Sequence, residues 1–231
     1  MSDAKKAGFW ARLRRYSYRA LLYRRKITAA DHQRFAAAIP PAGRSLVVFS
    51  EFDHAAVLDS YDEMPQHLFD TDRYLDYFAD FPEAHYDNVI CMGLLEHMKD
   101  PQALVQRCHA ALKPGGRVYV AASSVFSVHR GPENYFHFTP YGARLLFENL
   151  TWTELTIEGS SQPFRTLGIL CQRILLQSEI HIVFRPFLEL LAWSLPLLDV
   201  LVRRQYDGHR FEADRRIDSM MPSNVWITAQ R

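Results

Sequence analysis

The sequence predicts one α/β domain built on a mostly parallel sheet, and three observations predict it. A short apolar run, Asp87 to Met92, is followed by a helical stretch, Asp100 to Leu112, and then by a second apolar run, Arg117 to Ala122. Strand, helix and strand at that spacing make a crossover unit, which sets its two strands parallel. The 231 residues are 48% hydrophobic and 13% aromatic, enough for one substantial core.

Taken in order, residues 8–26 place Phe9, Leu13, Tyr16, Ala20 and Tyr23 three and four apart with arginines between them, the pattern of an amphipathic basic helix. Residues 1–30 hold nine Lys and Arg against one acid, Asp3, which leaves 18 basic and 25 acidic groups elsewhere. A basic arm, residues 1–40, therefore precedes an acidic body. Residues 5–26 are a candidate contact with an anionic membrane surface, and equally a solvated helix docked on its own domain. A helix from Ala29 to Ala38 stops before Pro40-Pro41, and Ser45 to Phe49 reads as a buried strand opening a core over residues 41–160.

The next stretch, Ser50 to Asp87, contains eleven acids, Arg73 as its only Lys or Arg, and no glycine. Within it, Asp72 to Phe81 has helix-like spacing. Asp100 and Pro101 are the N-cap and first residue of the helix that follows, and Lys113-Pro114-Gly115-Gly116 ends it. A helix from Pro140 to Leu150 and a strand near Glu154 to Glu158 complete the core. Residues 161–231 add apolar helices between 167 and 203 and a last strand, Asn224 to Ala229, to the same domain. The apolar run Phe184 to Val202 is interrupted by Arg185, Glu189 and Asp199 and broken by Pro186 and Pro196, which suits a core or interfacial helix better than a membrane span.

Three cysteines, Cys91, Cys108 and Cys171, form no CxxC pair, which suits a reducing compartment and buried, inert thiols. The N-terminal basic residues are followed by Ala20-Leu21-Leu22-Tyr23 and then more arginines, so no secretory signal is read there. A cytoplasmic protein, peripheral to the membrane through its arm, is the expectation. Nucleic acid is a poorer partner for that arm than lipid, because the body is acidic and no recognition motif accompanies it.

The run Tyr86 to Pro101 (YDNVICMGLLEHMKDP), followed by Leu112 to Arg117 (LKPGGR), closely resembles class I S-adenosylmethionine-dependent methyltransferases of the type 11 kind. In that family an FD.V.....LEH..DP segment forms the fourth strand and its loop, and LKPGG forms the turn before the fifth. Ser123 to Gly142 (SSVFSVHRGPENYFHFTPYG) resembles the H..P.DY.RFT..G segment of members associated with cell-envelope or glycan pathways, with Asn134 in place of the usual acid and His137 in place of the usual arginine. The resemblance covers roughly Ser45 to Leu150 and implies a Rossmann-like methyltransferase fold with S-adenosylmethionine as cofactor. The sequence departs from the family at the glycine-rich loop after the first strand, where Phe49-Ser50-Glu51-Phe52-Asp53 stands instead. The interval from that strand to Asp87 is also too short for two further strand and helix pairs, so the cofactor half is shortened.

From the resemblance and from strand ends come the candidate residues. Ser50, Glu51, Met92, Gly93 and Leu94 border the cofactor, since ligands in such sheets sit outside the carboxyl ends of strands. Asp59 and Asp70 are candidate ribose acids. His97, His129 and His137 are candidate bases, because imidazole exchanges protons near neutrality, and Glu133, Asn134 and Tyr135 are candidate acceptor contacts. A metal is not expected: His129, Glu133 and His137 are four apart, but Gly131 and Pro132 intervene. Ser123 and Ser124 lack a nucleophile-elbow setting. Two functions follow: a methyltransferase acting on a glycan, lipid-linked or envelope-related acceptor, or a non-catalytic relative serving as scaffold or regulatory subunit.

Overall fold

A computed structural model describes residues 26–50, 52–65, 73–129 and 133–231; the predicted basic helix over 8–26, Glu51 and Asp70 lie outside them. The elements are α1 (Lys26–Ala36), β1 (Arg44–Phe49), β2 (Ser60–Glu63), α2 (Tyr74–Tyr77), β3 (Tyr86–Met92), α3 (Pro101–Ala111), β4 (Leu112–Ser123), α4 (Pro140–Glu148), β5 (Glu154–Gly159), α5 (Pro163–Gln177), α6 (Arg185–Ser194), β6 (Gln205–Tyr206), β7 (Arg216–Ile217) and β8 (Asn224–Gln230).

Six strands form one sheet in the order β2-β1-β3-β4-β8-β5. β1 pairs parallel with β2 and β3, and β3 with β4, whereas β8 runs antiparallel between β4 and β5. The mostly parallel sheet expected from the crossover unit is therefore present. β6 and β7 form a separate two-stranded ribbon.

Period-two alternation sorts the side chains to two faces. Leu46, Val48, Val89, Cys91, Val118, Val120, Val225 and Ile227 join one core with α3 and α4 through Leu104, Val105, Ala143 and Phe147. Val47, Ile90, Met92, Tyr119 and Ala121 face the other way, against Phe35, Ala36 and Ile39 of α1 and the residues after it. Each such aliphatic chain, fully buried, contributes about 1.5–3 kcal/mol.

The helix ends follow from local chemistry. Asp100 caps α3, its carboxylate accepting from the Ala103 N–H at 2.9 Å, and Thr139 caps α4 through the Gly142 N–H at 3.0 Å. Proline stands at the start of both helices, where its missing N–H costs nothing. Within β4, Gly115 takes a positive φ of 82°, a conformation that glycine adopts without strain.

The shortened half is rebuilt in a specific way. β1 reaches its parallel neighbour β2 through residues 50–59, with a single 3-10 turn, His54–Ala56, where a helix would ordinarily sit. Only one strand, β2, lies between β1 and β3 among the described residues, and the helix expected over 72–81 is two short pieces, Tyr74–Tyr77 and Phe78–Asp80. Asp62 of β2 holds the edge in place: it accepts from Arg44 at 2.9 Å and from the Tyr86 hydroxyl at 2.9 Å.

α5 packs on both α6 and α1. Arg165 of α5 pairs with the buried Asp31 of α1 at 2.7 Å. Asp199 reaches back to the start of α5, its two oxygens accepting the Phe164 and Arg165 N–H groups at 2.9 Å each. None of the helices searched among the described residues is long and apolar enough to cross a membrane.

Candidate functional site

The carboxyl ends of β1, β2, β3 and β4 share one edge of the sheet, and the candidate residues divide around it. Ser50 follows β1, and its hydroxyl lies 2.8 Å from His54 Nδ1. Glu63 ends β2, with Oε2 3.3 Å from His54 Nε2, so His54 bridges the ends of the first two strands. Asp59 requires correction as a ribose contact. It precedes β2 at the amino edge, level with Arg44, and its N–H donates to the Pro41 carbonyl at 3.1 Å. The acid at the carboxyl edge of that strand is Glu63, which the sequence reading did not select.

At the end of β3, Gly93 takes φ 80° and donates its N–H to the Ala121 carbonyl at 2.8 Å. Met92 and Leu94 on either side are fully buried, Met92 in the α1-side core and Leu94 in the α3-side core. Their side chains are packed inward, so at the edge these two positions offer only backbone, and Gly93 between them is half-buried. Phe49 is likewise core, and Phe52 packs against the α1-side cluster.

The loop after β3 and the loop after β4 are tied together. His97, 2% exposed, has Nδ1 2.9 Å from the Glu133 carbonyl oxygen. Glu96, 3% exposed, accepts from the Ser123 hydroxyl at 2.7 Å, and its backbone carbonyl accepts the Tyr135 and Phe136 N–H groups at 2.8 and 3.2 Å. His129 meets the His97 ring edge to face, centroids 4.9 Å apart, and has Nδ1 2.9 Å from the Ser127 carbonyl. His137 is exposed and its Nε2 lies 2.8 Å from Asn134 Oδ1; packing around the ring, with His97 nearby, lowers its pKa from the ordinary imidazole value. Glu133 and Tyr135 are exposed and Asn134 half-buried on the same loop. His97 and His129 are thus brought together by a ring contact that the sequence spacing alone does not show, while His137 is held by Asn134.

A cavity of about 50 Å³ opens beside this cluster, lined among others by His32, Gly93, Glu96, Ser123, His129 and Gln172. The metal set weighed from spacing, with Glu133 and His137, is not the one the fold assembles. Among the described residues, Glu96, His97 and His129 each place one ligand atom within 4.8 Å of the others. Cys91 and Cys108 are buried, and their mutual contact together with burial pushes the Cys91 thiol well up.

A parallel sheet with a ligand edge and one antiparallel strand beside it defines a Rossmann-like class of protein. The model of a methyltransferase domain matches residues 28–156, more than half of the chain. The chain belongs to that methyltransferase family. A ubiquinone biosynthesis O-methyltransferase of Vibrio atlanticus is 31% identical over 116 residues, 45% of this chain and 48% of that protein. The same enzyme of Idiomarina loihiensis is 40% identical over 60 residues, 23% of this chain and 25% of that protein. The matched segments span a quarter to a half of these relatives' length. A S-adenosylmethionine-dependent methyltransferase of Archaeoglobus fulgidus superposes with a TM-score of 0.47 at 12% identity, over 90% of this chain and 94% of that one.

The residues at two strand ends fit S-adenosylmethionine, the cofactor that the sequence resemblance implies. Gly93, without a side chain and at positive φ, admits close approach, and the Glu63 carboxylate has the chemistry to accept from ribose hydroxyls. His54 engages Oε2 of Glu63 and leaves the carboxylate further acceptor sites for a nucleoside. At the end of β1 no glycine is offered, so the ordinary close approach there is replaced by Ser50 and His54.

Proposed function

We propose that this chain transfers a methyl group from S-adenosylmethionine to a hydroxyl of a lipid-linked acceptor. The observation that carries the transfer is the family match over the sheet whose carboxyl edge presents Gly93 and Glu63. Bound at that edge, the cofactor supplies an electrophilic methyl on a sulfonium. An acceptor hydroxyl that took that methyl would leave the donor as a neutral thioether and would have to give its proton to a base.

For that proton the chain offers His137. With Nε2–H donated to Asn134 Oδ1, its Nδ1 keeps the lone pair and the ring is held in one orientation. Tied to Glu96 and His97 through Glu133, Tyr135 and Phe136, the loop after β4 would align acceptor and methyl, and alignment carries most of the acceleration in such a displacement.

Two observations support a lipid-linked acceptor. The relatives above are named for ubiquinone biosynthesis. The segment from Val183 to Leu201 also leaves Phe187, Leu190, Trp193, Leu197, Val200 and Leu201 exposed. Its two acids turn inward, Glu189 onto Arg185 at 2.9 Å and Asp199 onto α5, so this face is apolar, and the exposed Arg203 and Arg204 follow it. An apolar face flanked by cations suits an anionic lipid surface.

Calorimetric titration of the full chain with S-adenosylmethionine and with its demethylated product tests the cofactor reading. Micromolar binding is expected, abolished by Gly93→Arg and weakened about ten- to hundredfold by Glu63→Ala, the cost of losing a charge-assisted hydrogen bond. Absence of heat and of thermal shift with both compounds would overturn it in favour of a scaffold.

A further inference from the structure

We infer that Glu96, His97 and His129 form a binding site for one divalent transition-metal ion of the zinc class. Two imidazoles and a carboxylate are a ligand set that leaves coordination positions open, as in metal sites that act on a bound oxygen. Their ligand atoms lie within 4.8 Å of one another. Tetrahedral bonds of about 2.1 Å bring ligands to roughly 3.4 Å apart, so closure takes shifts of about an ångström.

The surroundings are those of a metal site. Both rings have Nδ1 against a backbone carbonyl, His97 on Glu133 and His129 on Ser127, each at 2.9 Å. A carbonyl only accepts, so Nδ1 carries the proton in each neutral ring and Nε2 keeps the lone pair that a metal takes. Glu96 is oriented in turn by the Ser123 hydroxyl at 2.7 Å. Each of the three ligands thus has an outer partner that fixes its direction. The carboxylate is almost fully buried, where a divalent cation offsets the cost of its charge.

A separate observation places oxygen ligands beside the cluster. The cavity of about 50 Å³ is lined by Glu96 and His129 and also by Gln172 and Asn224. Gln172 Nε2 and Asn224 Nδ2 are buried and find no acceptor among the described residues, although the residues are only 6% and 5% exposed. Water or an acceptor hydroxyl on the open metal positions would receive those N–H groups, and the space is large enough for water. A hydroxyl held there sits between the loops after β3 and β4 with its acidity raised by the ion.

The test uses the full, tag-free chain after chelation, dialysed against Zn²⁺, with Co²⁺ as a visible-spectrum probe. One Zn²⁺ per chain is expected, with Co²⁺ bands of a nitrogen- and oxygen-ligated centre. His129→Ala should weaken Zn²⁺ binding by more than about a hundredfold, beyond what loss of an outer partner costs, and the exposed-site control His209→Ala should leave it unchanged. His129 is half-buried on a loop, so its variant keeps the fold; Glu96→Gln, checked by circular dichroism, is the second. No bound zinc, or equal affinity in both variants and wild type, overturns the inference. Cofactor titration reads Gly93 and Glu63 instead, so the two readings fail separately.

Discussion

A buried charge helps to hold α1 on the domain, beside the apolar contacts of Phe35, Ala36 and Ile39. The Asp31 side chain is 1% exposed and pairs with Arg165 at 2.7 Å and Arg34 at 3.3 Å. Burial raises its pKa even against those two guanidinium groups. Removing one member leaves the other buried without its countercharge, so Asp31→Ala should destabilise by about 3–5 kcal/mol, whereas Asp31→Ala with Arg165→Met should cost less than the single change. Urea unfolding of the three variants checks this; a single variant within error of wild type would refute it. Nothing in the sequence links two residues 134 positions apart, so this pair was illegible there. The site shows the same division. His97, Gly93 and His129 were readable because a motif or a strand end marks them. Glu63 was not, because its strand is a four-residue edge whose polar pattern, Ser60-Tyr61-Asp62-Glu63, lacks the apolar run that betrays a buried strand.

Elements with a side-chain cap were legible to within a residue or two, α3 beginning after Asp100 and α4 after Thr139, whereas β4 begins at Leu112, five residues before the expected Arg117, and runs through Gly115-Gly116. The stretch between β1 and β3 was not, since its acids carry no period and its crossover is a 3-10 turn. The contact between α5 and α6 hinges on Gly168, where an added Cβ would lie 2.7 Å from the Ala192 carbonyl oxygen and 3.0 Å from Pro196 Cδ. Backbone cannot yield as a flexible side chain would. Gly168→Ala should therefore lower stability by about 1–3 kcal/mol, the range for overpacking, despite the gain in helix propensity. A reduced urea midpoint at unchanged slope is the expected signature, and an unchanged or raised midpoint would show that the helices can part freely.

Across the whole molecule, two surfaces carry the function: the carboxyl edge at the ends of β1 to β4, and an apolar face built on α6 and the turn Leu195–Leu201. The wild-type chain should sediment with vesicles containing phosphatidylglycerol. Phe187→Ser with Val200→Ser should lower the bound fraction several-fold without loss of fold, since those side chains are 69% and 82% exposed. Equal partitioning of variant and wild type would remove this face as a lipid contact. The sequence showed the apolar run but not that Glu189 and Asp199 turn inward, which only packing settles. The place of β8 carries a consequence for biosynthesis. Residues 224–230 lie between β4 and β5, although they come long after both in the chain. A ribosome must deliver more than sixty residues after β5 before that slot is filled. Until then the nascent β4 shows an open ladder of amide and carbonyl groups, the condition in which chaperones are recruited and stray strands are captured.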